Sequence, residues 1–404
     1  MVKTIITVDV NKKPQEQPMP LHNRWHPDVE PVVTVEPGAV FRIECIDWTG
    51  GQIKNDDSAA DVKNIDLTQV HYMSGPIAVR GAQPGDLLVV DILDIGALPT
   101  NQWGFTGIFA KENGGGFLTD YYPQAHKAIW DIEGIYAQSR HIPGVRFIGL
   151  THTGLMGVAP SPELLARWKK REEALVATNP NRVPPLANLP EKHGALCGTL
   201  RGEAADRVAR EGARTVPPRE NGGNCDISSL TRGSRIYFPV FVKDALLSVG
   251  DIHFSQGDGE IAFCGSIETA GWVSLKVDII KQGAKNYNMQ SPLFQSALIE
   301  SPYTRHLVFE GISVDDNDQQ YYLDATVAYR QACLQAIEYL KKFGYSGVQA
   351  YALLSAAPMK GRINGIVDIP NACATVALPT DIFTFDILPS SGGAIKQNIK
   401  RDLA

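Results

Sequence analysis

The sequence has no C-x-x-C pair: its six cysteines, at 45, 197, 225, 264, 333 and 373, are scattered, which argues against a structural zinc knuckle or a thioredoxin-like motif. They read as reduced thiols of a cytosolic protein. No run approaches the roughly 18 apolar residues of a membrane helix, and the opening MVKTIITVDVN alternates like a strand without a signal-peptide core. A cytoplasmic enzyme is the default class these absences leave. Basic residues nowhere interleave with aromatics, and a formal net charge of -6 over 404 residues is mild, so neither nucleic acid nor an anionic membrane is expected as partner. Also missing are a G-x-S-x-G elbow, an H-E-x-x-H helix, a P-loop, a Rossmann fingerprint and a Ser- and Gly-rich nucleophile segment. The usual nucleotide-binding and serine-hydrolase readings lose their support.

What is present is β structure. The first ninety-five residues read as short Val- and Ile-rich strands near 4–10, 32–35, 40–46, 77–79 and 87–95, punctuated by Pro37-Gly38, Gly75-Pro76 and Pro84-Gly85-Asp86. Such punctuation predicts a sandwich or barrel. Asp47 to His71 interrupts it with a polar excursion whose Asp47, Asn55, Asp56, Asp57, Asp61 and Asp66 suit either an exposed loop or a set of oxygen ligands. Ser161-Pro162-Glu163 predicts a helix start, with an end at Asn179-Pro180; residues 180–224 read as an extended loop offering subunit contact. Strands resume after Ile236, and helices are expected over about 323–343, capped by Asp324 or a neighbour, and after Ser346. The expected fold is α+β and β-dominated, sandwich- or barrel-like, with a late helical hairpin. Residues 1–404 are read as one intimately joined unit: a β-rich part (1–100), a loop-rich excursion with one helix (101–230), and a C-terminal β part with the hairpin (231–404).

Chemistry concentrates in Val249 to Gly271, which packs His253 with Asp251, Asp258, Glu260 and Glu268 around Gly250, Gly257, Gly259 and Gly265. Asp251 and His253, two apart, share one face of an extended strand, which fits either a metal site or a salt-linked turn. A second constellation, NGGNCDISSL, offers Asn224, Asp226 as a ligand and Cys225 as either a nucleophile or a small buried filler. His71 closes the polar excursion, where a structural histidine is the plainer reading, and His152 in THTGLMG fits either a pocket wall or packing.

The stretches NRWHPD, DWTGGQIKNDDSAADV, QVHYMSGPIAVRGAQPGDLLVVDILDI, GFLTDYYP, RHIPGVRFIGLTHTGLMG, GGNCDI and GDIHFSQGDGE together span most of the chain, and they resemble the acetamidase/formamidase amidohydrolases. The resemblance implies a β-rich fold, hydrolysis of formamide and other short aliphatic amides to acid and ammonia, a cytoplasmic homo-oligomer, and a site that holds a metal in at least some relatives; imidazole and carboxylate donors make a divalent ion, zinc by preference, the expected one. On that footing His71, Asp226, Asp251 and His253 are the expected ligands, and Glu260 is the expected base. Glu268 and His253 complete the catalytic group, while Trp48, Tyr72, Asn224 and His152 are expected around the substrate. Two alternatives stay open: a metal-free amidase using Cys225, and a non-catalytic amide-binding protein.

Overall fold

A computed structural model describes residues 2–178, 190–298, 301–399 and 402–403. Six strands form one sheet in the order Thr4–Ile6, Val40–Cys45, Gly271–Ile280, Leu87–Ala97, Arg235–Pro239 and Leu293–Gln295. A larger sheet runs Arg146–Ile148, Tyr136–Ser139, His126–Glu133, Trp103–Ile108, Phe263–Thr269, Leu247–His253, His152–Val158 and Gly222–Asn224, with Met73–Val79 also pairing to Leu247–His253. The two pack face to face: Phe41, Val90 and Leu275 of the smaller share one core with Ile77, Val158 and Val249 of the larger. This is a sandwich of open sheets, and no barrel closes among the described residues.

The late helices behave as their caps dictate. Asp324 accepts from the backbone amides of Thr326 and Val327 to start Ala325–Lys342, and Ser346 forms a capping box with Gln349 to start Gly347–Ala356. Both pack between the large sheet and a three-stranded sheet of His306–Ile312, Cys373–Pro379 and Lys360–Gly365. Pro162–Thr178 is helical, with the Ser161 hydroxyl accepting from Leu164 N at 3.2 Å; the expected stop at Asn179-Pro180 lies outside the described residues. Residues 190–224 are not all loop. Gly202–Glu211 is a helix that buries Val208 and Ala209 against Val29 and Cys197. Its narrow apolar stripe is hidden in sequence by the surrounding charges, two of which, Arg207 and Glu211, pair at i,i+4. No described helix is long and apolar enough to cross a membrane.

The polar excursion's side-chain oxygens are taken up by protein donors, from within it and from Lys127 and Arg140. Lys127 is fully buried, and its ammonium donates to Lys54 O at 3.0 Å, Asp56 Oδ1 at 2.8 Å and Asp61 Oδ2 at 2.8 Å, one acceptor per proton. Asp47 accepts from Thr49 N and Gly51 N, and Asp66 from Thr68 N. A lysine, in place of a metal, ties the loop to the sheet. Lys127→Met leaves Asp61 and the Lys54 carbonyl without their donor while Asp56, more than half exposed, turns to water, so a destabilisation of about 1–3 kcal/mol is expected in denaturant unfolding; a change under about 0.5 kcal/mol would show the cage to be idle.

Candidate functional site

The large sheet splits at Asp251. On one edge of Leu247–His253 the partner is His152–Val158 throughout, but on the other edge residues 247–250 pair with Met73–Ile77, while Ile252 and His253 pair with Thr269 and Glu268. Asp251 sits where the partner changes, with φ +54°. The alternation slips by one residue there: Leu247, Val249 and Ile252 all lie in the inter-sheet core. Asp251 and His253 are left together on the opposite face, their Oδ1 and Nε2 atoms 3.2 Å apart. Register then aligns His152, His253 and Glu268 directly opposite one another on three adjacent strands. Gly154 makes room for this, since a Cβ there would stand 2.6 Å from His253 Cε1 and 2.7 Å from Asp251 Oδ2.

Above the fork lies a cavity of about 300 Å3 lined by Trp48, His71, Asn224, Asp251, Glu260 and Glu268 among others. That is the low end for a ligand site. His253 is wholly buried behind it, with Nε2 also 3.1 Å from Glu268 Oε2. The ligand atoms of Asp226, Asp251 and His253 lie within 4.8 Å of one another, and so do those of His253, Glu260 and Glu268. Asp226 Oδ1, Asp251 Oδ1, His253 Nε2 and Glu268 Oε2 are buried without an aligned hydrogen-bond partner, an arrangement that a cation among them would satisfy. Asp226, Asp251 and Glu260 hold left-handed backbone, at φ +50°, +54° and +45°. For non-glycine residues that conformation is strained, and its recurrence in three of four clustered carboxylates marks a site built against local preference.

The electrostatics are lopsided. Burial raises Asp226 to about 7 and Glu268 to about 8, and burial with the charge of Asp226 drives Glu260 well above the usual carboxylate range. Burial would raise Asp251 too, yet His253 and His71 hold it down to about 2. Burial likewise disfavours a charged His253, but Glu268 and Asp251 outweigh it and lift its pKa well above the ordinary value. Four carboxylates and one imidazolium carry three negative charges in excess if all ionise. Protons or a bound cation must make up the difference.

The remaining expected residues divide. Trp48 and Asn224 reach the cavity wall, and the Asn224 amide donates to Asp226 Oδ2 at 2.9 Å. His71 also lines it, tilted against Trp48 with ring centroids 4.9 Å apart, but its Nε2 is 3.9 Å from Asp251 Oδ2, at the edge of the ligand clusters. Tyr72 is not in the wall: it follows His71 in extended chain, points the other way, and packs on Leu21 and Ile46. His152 is not in the wall either. It is buried beside His253, its Nδ1 2.8 Å from Leu150 O and its Nε2 3.0 Å from Gln256 Oε1, and burial followed by the His253 charge brings its pKa down to about 4. Cys225 has no thiolate-stabilising neighbour; burial, with Asp226 adding, pushes it up to about 11.

Gln256 was invisible to sequence reasoning because a neutral amide carries no titration signal. Its amide group donates to Asp226 O at 2.7 Å, so its Oε1 must face the histidines, where it accepts from His253 Nδ1 at 2.9 Å. That fixes His253 with Nε2 turned to Asp251 and Glu268.

A profile of the Acetamidase/Formamidase family matches residues 7–385. The chain is 61% identical over 392 residues to a formamidase from Methylophilus methylotrophus, covering 97% of this chain and 96% of that one. It is 57% identical over 370 residues to an acetamidase from Mycolicibacterium smegmatis, covering 89% and 91%. In three dimensions it superposes on a structure named gamma lactamase from Delftia acidovorans with a TM-score of 0.96 at 58% identity, covering 100% of this chain and 99% of that one.

Proposed function

This chain belongs to the acetamidase/formamidase family and is an amidohydrolase acting on linear amides, and we propose that it hydrolyses formamide, and other short aliphatic amides more weakly, to the acid and ammonia. The observation that carries the reading is the cluster of four carboxylates and one histidine beneath a cavity of about 300 Å3. Asp226, Asp251 and His253 would hold a divalent cation, with His71 at its edge; imidazole with carboxylate favours zinc. When bound, such an ion polarises a carbonyl and acidifies water.

The chain's own groups do the rest. Glu260, open to the cavity and fixed by Gly265 N donating to its Oε1 at 3.1 Å, takes the proton of the attacking water. As the C–N bond breaks it returns that proton to nitrogen, so water and formamide leave as formate and ammonia. Glu268 holds His253 in place opposite Asp251, and Gln256 fixes the ring from behind. Trp48 and Phe263 give the cavity an aromatic wall, while Asn224 offers its amide to the substrate. Residues from the N-terminal, middle and C-terminal parts all line this cavity, which supports reading the chain as one catalytic unit. The high Cys225 pKa argues against the thiol route. Scattered, unpaired cysteines support the cytoplasm. Exposed Val308, Ile312, Val367 and Ile369 support assembly into a homo-oligomer.

Ammonia release by the purified chain across an amide series tests the reading. The highest kcat/KM is expected for formamide, and no release from any amide would sink it.

A further inference from the structure

A second cavity, of about 400 Å3, opens to solvent beside the first. The two share three wall residues, Phe117, Gly259 and Ile261. Beyond them the outer cavity is bounded by Ala325, Tyr329, Arg362 and Ile363. Its one carboxylate, Asp258, is already occupied, accepting from Ser228 Oγ and Gly361 N at 3.0 Å each. The surface is therefore largely apolar with an arginine at its rim. It has no set of buried acids like that of the inner cavity.

Among the shared residues only Phe117 has a side chain long enough to act as a partition, and its backbone is pinned on both sides. Its amide donates to Ile261 O at 2.8 Å, and the next residue, the buried Leu118, donates to the Tyr351 hydroxyl at 3.1 Å. Gly116 lies so close that a Cβ there would stand 2.4 Å from the Tyr351 hydroxyl and 2.8 Å from Ile261 O. The ring itself is held at 6.0 Å from the Tyr329 ring, with the Arg330 guanidinium 5.2 Å from its centroid. An aromatic fixed at both backbone and ring is a wall in place of a mobile side chain.

Building on the amidase reading above, we propose that Phe117 sets the acyl length this enzyme accepts, by separating the reaction cavity from an apolar chamber suited to the tail of a longer neutral amide. With the ring in place, an acyl chain that extends past the reacting carbonyl meets Phe117. With it removed, each added methylene gains apolar contact in the outer chamber, and one methylene in an apolar pocket is worth about tenfold or more in discrimination.

The test is the ratio of kcat/KM for hexanamide to that for formamide. In Phe117→Ala it is expected to rise at least about tenfold, with Phe117→Leu intermediate as a milder variant if the alanine chain folds poorly. Adding Ile363→Trp, which refills the outer chamber, should bring the ratio back towards that of the unaltered enzyme. A folded Phe117 variant that hydrolyses formamide with an unmoved ratio overturns the proposal alone. Failure of the unaltered chain to hydrolyse any amide overturns the amidase reading and this proposal with it.

Discussion

His253→Gln should lower kcat/KM for formamide by at least about a thousandfold, equivalent to roughly 4 kcal/mol of transition-state stabilisation. The imidazole is one of the three groups that would hold the cation, and its Nε2, 3.2 Å from Asp251 and 3.1 Å from Glu268, is the atom that would bind it. Glutamine keeps a polar side chain of similar reach but lacks the imidazole nitrogen. The pH dependence of stability should change with it. Carboxylates whose folded pKa exceeds the unfolded value bind more protons in the native state, so stability is lost as pH rises from the unfolded towards the folded pKa. Asp226 at about 7 and Glu268 at about 8 already place that loss between about pH 4 and 8 in metal-free protein, and removing the imidazolium raises both further. The melting temperature of the metal-free parent should therefore fall as pH rises from about 4 to 8, and His253, whose own folded pKa is raised, adds to that fall above about pH 6.5, an addition that His253→Gln lacks. A melting temperature that does not fall over that range would mean that the folded cluster holds no excess protons.

Glu260→Gln is the second large effect: a loss of about a hundred- to ten-thousandfold in kcat, the range for a general base, with KM little changed. The swap is isosteric and keeps an oxygen for Gly265 N. What it removes is the group that accepts and returns a proton. Metal content separates the base from a ligand, because a base variant keeps the metal of the parent while a ligand variant loses metal and rate together. If Glu260→Gln binds metal poorly, Glu260 belongs with the ligands and another group moves the proton.

Much of the site's composition was readable in advance, because its residues crowd into one stretch and the two-residue spacing of Asp251 and His253 demands a shared face. The means differ from the expectation. The spacing alone predicts an extended strand, whereas the structure reaches the same face through a left-handed Asp251 at a fork in the sheet. Helix starts were legible where a capping side chain announces them, at Ser161, Asp324 and Ser346. The Gly202–Glu211 helix was not, since only Val208 and Ala209 anchor it in a charged run. Adjacency in sequence misled for Tyr72, which an extended backbone turns away from its neighbour His71. Gln256 and Gly154 act through a hydrogen bond and through empty space, and neither property shows in a residue list until strands are paired.

On this reading the acidic cluster at the sheet fork hydrolyses amides with a bound cation. The most direct measurement follows ammonia release from formamide by chelator-stripped protein as zinc is titrated back, with bound metal counted per chain. Expected is negligible release from stripped protein and recovery that rises linearly to a plateau at one ion per chain, with Asp251→Asn recovering neither metal nor rate. Full formamide turnover by metal-free protein would contradict it.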